Sequence, residues 1–313
     1  MVYSIKIPKI KKTVQERNAL GLSFDSYRGV PSTLCGGCGH DAISTAIMQA
    51  CFELAIPPHE LVKLSGIGCS SKTPAYFVSG AHAFNAVHGR MPAIATGAYA
   101  AHPGLYYFAV SGDGDTANIG LGAFIHAMKR QIRVCYLVEN NGVFGLTKGQ
   151  FSTTSDKGTR DKRGRSYAVE AMDIVALAIQ SGASYVARGF SANKPQLVPL
   201  LKDGLKHKGF AFFDVLSPCV SFNNHEGSTK SYAFVRDHEQ PLDKPFTDKW
   251  EALQFLQEAR ENGKIVTGCI YCDRDPTSWH EMEHTDERPL REIPWSELCP
   301  GADLLTQINQ SLR

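Results

Sequence analysis

Residues 110–150 read VSGDGDTANIGLGAFIHAMKRQIRVCYLVENNGVFGLTKGQ. The apolar run Tyr106 to Val110 ends in Ser-Gly-Asp-Gly-Asp. Apolar residues at helical spacing follow: Ile119, Phe124, Ile125 and Met128. A second apolar run, Val134 to Val138, ends in Glu-Asn-Asn-Gly. The pattern predicts strand, helix, strand, with a polar loop at the carboxyl end of each strand. In open parallel sheets that edge is where ligands bind.

Taken together, the two loops have the chemistry of a metal–diphosphate site. Gly112 and Gly114 let the backbone approach a phosphate closely. Asp113 offers a hard carboxylate oxygen suited to Mg²⁺, and Asn141 a carbonyl oxygen. Free amides at the start of the segment after Asp115 favour an anion. The bland alternative is a pair of Gly/Asn turns, but GDGD followed by NN at the end of the next strand is far more specific than a lone GDG.

Working outward, Cys35-Gly-Gly-Cys38 sits in a Gly-rich turn before a predicted helix whose apolar face holds Ile43, Ile47 and Leu54, with Asp41 as its expected cap. Leu61 to Ile67 reads as a buried strand ending at Gly-Cys69-Ser-Ser-Lys72. Beyond the central stretch, Ser152 to Ser166 is polar and rich in Lys, Arg, Thr and Gly, the pattern of a mobile loop. Val169 to Gln180 reads as a helix, Ser184 to Ala187 as a strand, Gln196 to Lys206 as a helix, and Phe210 to Leu216 as a buried strand ending in Ser-Pro-Cys219. Strands alternating with helices imply an α/β fold, a parallel sheet with helices on both faces. Residues 1–30 are expected to form an N-terminal arm, 31–230 the main domain, and 231–313 a C-terminal extension with a helix near Lys249–Asn262.

With 313 residues, 43% of them hydrophobic, the chain can bury a large core. Its 33 basic and 31 acidic residues leave a net charge of +2, so nothing draws it to nucleic acid or membrane surfaces. No apolar run approaches the roughly 20 residues of a membrane span. Met1 to Lys12 lacks the features of a signal peptide, and a cytoplasmic location is expected. Nine cysteines in such a chain suggest metal or thiol chemistry rather than disulfides.

Cys35 and Cys38 have CxxC spacing, while Cys69 and Cys219 each follow a predicted buried strand, as Asp113 does. All four would then gather at one sheet edge, where thiolates can ligate an iron–sulfur cluster. A competing quartet, Cys35, Cys38, Cys269 and Cys272, would satisfy a four-thiolate zinc site. Cys51 and Cys135 fall within a helix and a strand and read as small buried hydrophobes. Cys299 has no assigned role.

GDG with NN after the next strand resembles the thiamine diphosphate motif. NNGVFGLTKGQ is narrower and resembles the thiamine-binding β subunit of 2-oxoacid:ferredoxin oxidoreductases, over roughly Ser32 to Asn224. The resemblance implies the thiamine diphosphate-binding fold for residues 31–230. It implies Mg²⁺ ligation by Asp113, Asn141 and the carbonyl of Val143. Diphosphate or thiazole contacts are implied for Gly114, Asp115, Gly145 and Leu146, and backbone contacts for Ile67, Gly68 and Ser70. GIGCSS at residues 66–71 and Pro218-Cys219 resemble the family's cluster motifs. They point to a 4Fe–4S cluster on Cys35, Cys38, Cys69 and Cys219, and leave Cys269 and Cys272 as structural thiols. His88, in a segment similar to the family's HGR, is expected at the cofactor. Lys72 is expected to hold a substrate carboxylate.

Thiamine enzymes use a glutamate against the aminopyrimidine ring, and no segment resembles the half that carries it. The resemblance therefore implies a larger α subunit in an α₂β₂ assembly, with ferredoxin, a 2-oxoacid and coenzyme A as reaction partners. LTKGQFSTTS is more similar to the 2-oxoglutarate branch than to the pyruvate or branched-chain branches. Two rivals differ in what they need. A non-redox thiamine decarboxylase or synthase has no use for four cluster thiolates, and an electron-transfer scaffold has no use for GDGD with NN.

Overall fold

The computed structural model describes residues 16–161, 163–283, 287–299 and 301–312. Its frame is an eight-stranded sheet. In chain order the elements are α1 (Gly39–Glu53), β1 (Leu61–Ser65), β2 (His82–Asn85), α2 (Met91–Ala101), β3 (Tyr106–Gly112), α3 (Leu121–Lys129), β4 (Val134–Asn140), the small hairpin β5 (Val143–Phe144) and β6 (Gln150–Phe151), α4 (Ile174–Gln180), β7 (Tyr185–Phe190), α5 (Lys194–Lys206), β8 (Phe210–Leu216), α6 (Tyr232–His238), β9 (Glu239–Pro241), α7 (Lys249–Glu261), β10 (Ile265–Cys272), α8 (Trp279–Glu283), α9 (Trp295–Leu298) and α10 (Ala302–Ser311). The strand order is β2-β1-β3-β4-β8-β7-β10-β9. Only the β7–β10 pairing in this sheet is antiparallel.

Central strands are buried on both sides, and alternation sorts their side chains into two cores. On β4, Val134, Tyr136 and Val138 pack on the layer that includes Phe124 of α3 and Ile174 of α4. Cys135 and Leu137 point the other way, to Ile43 and Ile47 of α1 and Leu197 and Leu201 of α5. Cys51 and Cys135 are buried small hydrophobes, as expected. The helices cover both faces, the arrangement that lets strands carry continuous apolar runs.

Several boundaries depart from the sequence reading. α1 starts one residue after Cys38, which makes no side-chain cap; Asp41 lies in the first turn instead. There its charge complements the helix dipole rather than capping an amide. α4 starts at Ile174, after Asp173 caps the amides of Val175 and Ala176 at 3.0 and 3.2 Å. Before it, the Met172 amide is bound to the Thr153 carbonyl at 2.8 Å, so residues 169–173 serve the loop and not the helix. The segment expected as a C-terminal extension supplies β9 and β10 to the sheet, and Ala252 and Leu256 of α7 to the core.

The first 15 residues of the expected N-terminal arm lie outside the described residues. The rest of the arm is fastened to the body: Tyr27 is fully buried, and its hydroxyl donates to the Ile56 carbonyl at 2.8 Å. No helix among the described residues is long and apolar enough to cross a membrane.

Candidate functional site

Four adjacent parallel strands, β1, β3, β4 and β8, end on one edge, and the loops they release meet there. β1 releases residues 66–72. Lys63 secures the far end of that segment: its ammonium donates to the carbonyls of Pro74, Phe77 and Val78 at 2.8, 2.8 and 2.9 Å. β3 runs into a wide helical turn, Gly114–Ile119, so Ile119 belongs to this turn rather than to α3. β4 releases Asn141 and the β5–β6 hairpin, and β8 releases Ser217 to Cys219.

The loops enclose a cavity of about 120 Å³. Ile67, Gly68, Cys69, Ser70, His88, Asp113, Gly114, Asp115, Asn141, Val143, Gly145 and Leu146 all line it. Lys72, Cys35, Cys38 and Cys219 lie outside its lining. The Lys72 ammonium is 3.4 Å from the Thr33 hydroxyl. A larger open cleft, about 780 Å³, sits by Arg133 and Lys208 at the amino ends of β4 and β8, and holds none of the expected residues.

Asp113 is 1% exposed. Its Oδ2 accepts hydrogen bonds from the hydroxyls of Ser152 and Thr154, the latter at 2.6 Å. Burial pushes its carboxyl up, and these two hydroxyls partly oppose the shift. A buried carboxylate that burial makes costly is the donor a divalent cation would compensate. Asn141 Oδ1 accepts from the Val143 amide at 3.0 Å, fixing the turn that places Val143 at the cavity. The donor set, one carboxylate with amide and backbone carbonyls, is the hard oxygen chemistry Mg²⁺ takes. At Gly114 a Cβ would lie 2.4 Å from the Phe144 ring, so only glycine fits between turn and hairpin.

Asp115 is turned inward. Its Oδ2 accepts from Ser111 at 2.6 Å, and its Oδ1 from the Gly89 amide at 2.7 Å and from His88 Nδ1. A carboxylate only accepts, so the proton sits on Nδ1 of His88 and Nε2 is the ring nitrogen left for a ligand. What Asp115 offers a cofactor is its backbone.

The cysteines sort by strand end. A Cβ placed on Gly145 would lie 3.5 Å from the Cys69 sulfur and 3.6 Å from that of Cys219, so the two thiols converge on one point of the hairpin. The Cys38 amide donates to the Cys35 carbonyl at 3.0 Å, closing the CxxC turn, and the Ser221 hydroxyl, two residues past Cys219, lies 3.5 Å from the Cys35 sulfur. Burial raises the thiols of Cys69 and Cys219, and that of Cys38 to about 12, with neighbouring thiols of the same group adding to the rise. Thiols held neutral so close together have a cost that a positive centre would compensate. Among the described residues no three of His, Cys, Asp and Glu close around a single ion.

The zinc alternative fails on geometry. Cys272 is paired with Tyr185, the first residue of β7, and Cys269 with Ala187. Both therefore stand toward the opposite edge of the sheet from Cys35 and Cys38. A bulge between Cys269 and Tyr271 turns both thiols to the α5 face, against the core.

Two groups of residues went unread in the sequence. Ser152, Thr154 and Ser155 are each 1% exposed and belong to the Asp113 site, not to a mobile loop. Residues 152–155 form a turn, closed by the Ser155 amide on the Ser152 carbonyl at 3.1 Å, and a cluster of Ser and Thr is what such a turn favours. His40 and Glu139 lie buried beneath the loops, His40 Nδ1 3.4 Å from Glu139 Oε2 and 2.5 Å from the Ser217 hydroxyl. Burial lowers the imidazole to about 4 and raises the carboxyl well above its ordinary range, so it disfavours the charged form of both groups.

Comparison with known proteins gives one answer from three directions. Residues 66–215 match the family model for the thiamine pyrophosphate enzyme C-terminal TPP-binding domain. The chain is 39% identical to a 2-oxoacid:ferredoxin oxidoreductase subunit beta of Saccharolobus solfataricus, over 82% of this chain and 85% of that one. It is 35% identical to the 2-oxoglutarate synthase subunit KorB of Methanocaldococcus jannaschii, over 76% and 87%. A solved 2-oxoglutarate:ferredoxin oxidoreductase from Magnetococcus marinus, with 2-oxoglutarate, coenzyme A and succinyl-CoA bound, superposes with a TM-score of 0.80. That match has 30% identity and covers 95% of this chain and 98% of that one.

Proposed function

Because the chain belongs to the β-subunit family of 2-oxoacid:ferredoxin oxidoreductases, we propose that it is the cofactor-holding subunit of a complex that converts 2-oxoglutarate, coenzyme A and two oxidised ferredoxins to succinyl-CoA, CO₂ and two reduced ferredoxins, or runs the reverse carboxylation. The observation that carries this reading is the juxtaposition of two sets at Gly145: the Asp113–Asn141–Val143 oxygen set, with which it lines the cavity, and the Cys69 and Cys219 sulfurs that converge on it, Cys69 lining the same cavity. A non-redox thiamine enzyme would have no reason to keep the second set.

Asp113, Asn141 and the Val143 carbonyl would hold Mg²⁺, and the backbone of Gly114 and Asp115 the diphosphate. Cys35, Cys38, Cys69 and Cys219 would hold a 4Fe–4S cluster, which would accept electrons singly. Thiamine diphosphate, when bound, supplies the carbanion chemistry that cleaves the bond between keto carbon and carboxylate. Asp115 orients His88 so that Nε2 can meet the cofactor or substrate. Lys72, on the turn behind Cys69, would pair with a substrate carboxylate.

The cavity of about 120 Å³ is well below the roughly 300–1,000 Å³ of pockets that enclose a whole organic ligand. It suits the diphosphate end alone, which supports a larger α subunit that receives the aminopyrimidine and supplies its glutamate, in an α₂β₂ assembly. The test is anaerobic viologen reduction by the co-purified complex with coenzyme A. Turnover fastest with 2-oxoglutarate is expected. Faster turnover with pyruvate or branched 2-oxoacids overturns the substrate assignment, and none with any 2-oxoacid overturns the reaction.

A further inference from the structure

We propose that Ser152 and Thr154 are positioning residues for the divalent cation: together they form a hydroxyl clasp that makes Asp113 a one-oxygen ligand. The inference rests on the reading of Asp113 as a cation ligand. Both hydroxyls reach the same carboxylate oxygen, Oδ2. An sp² oxygen has two lone-pair directions, and two donors fill them. Oδ1 is then the oxygen with capacity for a cation.

The clasp is built, not incidental. Residues 152–155 form a turn closed by the Ser155 amide on the Ser152 carbonyl at 3.1 Å, and that turn brings the Ser152 and Thr154 hydroxyls within 3.0 Å of each other. The Ser152 amide donates to the Ser155 hydroxyl at 2.8 Å, which donates in turn to the Gly142 carbonyl at 2.6 Å. The Thr153 amide donates to Asn118 Oδ1 at 2.8 Å, tying the segment to the turn that follows Asp113. Thr154 has one hydroxyl proton and three oxygens in reach, Asp113 Oδ2 at 2.6 Å and Asn140 Oδ1 and the Ser152 hydroxyl each at 3.0 Å. The shorter contact to the carboxylate takes it.

A carboxylate limited to one oxygen suits Mg²⁺, which demands octahedral geometry and uses few carboxylates. Ca²⁺ accepts two oxygens of one carboxylate and six to eight ligands in all. The clasp therefore acts on cation choice as well as affinity.

The test uses the co-purified complex, stripped with EDTA, clusters oxidised, and titrated with Mn²⁺ in the presence of thiamine diphosphate, with free Mn²⁺ read by electron paramagnetic resonance. Ser152→Ala with Thr154→Val should raise the Mn²⁺ Kd about 10–100-fold and narrow the preference over competing Ca²⁺. Ser152→Thr with Thr154→Ser keeps both hydroxyls and should restore the parent Kd, which a loss of packing would not explain. An unchanged Kd in the Ala/Val variant, beside lost binding in Asp113→Ala, overturns the clasp alone. Unchanged binding in Asp113→Ala overturns the cation site and the clasp with it.

Discussion

Arg188→Met removes a cation shared by two carboxylates behind the site. The arginine Nε donates to Asp214 Oδ2 at 2.9 Å, and Nη2 to Asp173 Oδ1 at 3.1 Å. Asp214 is 2% exposed and also accepts from Asn140 Nδ2 at 2.9 Å, so the ion pair reaches the cation-site loops through one more hydrogen bond. Removing one partner of a buried pair leaves an uncompensated charge and costs about 3–5 kcal/mol. At about 2–4 °C per kcal/mol for a chain of this order, the midpoint should fall by about 6–20 °C near neutral pH. Asp173 supplies a pH signature. Burial raises its carboxyl, but Arg188 and the amides of Ala176 and Val175 outweigh that and hold it below the usual carboxylate range. A depressed folded value gives stability that is present above the unfolded value, roughly 3.9, and lost as pH falls through the folded one. The variant lacks most of that contribution, so its deficit should be full at neutral pH and narrow as pH falls through about 4. Scanning calorimetry of the complex at stepped pH measures both. A deficit below about 1 kcal/mol, or one that does not change with pH, refutes the reasoning.

Cys219→Ser should lose or convert the cluster, whereas Cys272→Ser should leave it intact, because Cys272 lies five residues of β7, at about 3.3 Å each, from the ligand edge. Electron paramagnetic resonance of the reduced complexes decides, and equal damage from both would mean the wrong quartet. Lys72→Met should raise KM for the 2-oxoacid by one to two decades, about 1.5–3 kcal/mol, while leaving that for coenzyme A nearly unchanged. Steady-state kinetics with both substrates varied would show the split, and unchanged 2-oxoacid kinetics would return Lys72 to a solvated role. The chain purified alone should reduce no viologen, and activity should appear on adding the α subunit; robust turnover by the isolated chain would remove the need for a second cofactor half.

The part of the fold that repeats simple periodicities was readable. Val134 to Val138 and Phe210 to Leu216 are continuous apolar runs because both faces of the sheet are covered, and they became β4 and β8. The loops after β3 and β4 followed from Gly, Asp and Asn chemistry and the GIGCSS segment after β1 from the family resemblance, and Asp113, Asn141 and that segment line one cavity. What hid from the sequence depends on long-range pairing. Ser152 and Thr154 look like any polar linker until Asp113 is placed opposite them. The bulge in β10 that turns Cys269 and Cys272 to one face has no local signature beyond CxxC itself. Of the strands beyond residue 231, β9 was missed because three residues are too few for an alternation to register, and the eight-residue β10 because Gly268 and the bulge between Cys269 and Tyr271 interrupt its pattern.

Gly145 lines the oxygen-lined cavity, and a Cβ placed on it would sit 3.5 and 3.6 Å from the Cys69 and Cys219 sulfurs, so one residue adjoins both halves of the site. A residue shared in this way cannot shift for one half without disturbing the other. The amides of residues 141–149 are therefore expected to open as one cooperative unit, and in hydrogen-exchange terms a ligand gained or lost in either half should change protection across the whole hairpin.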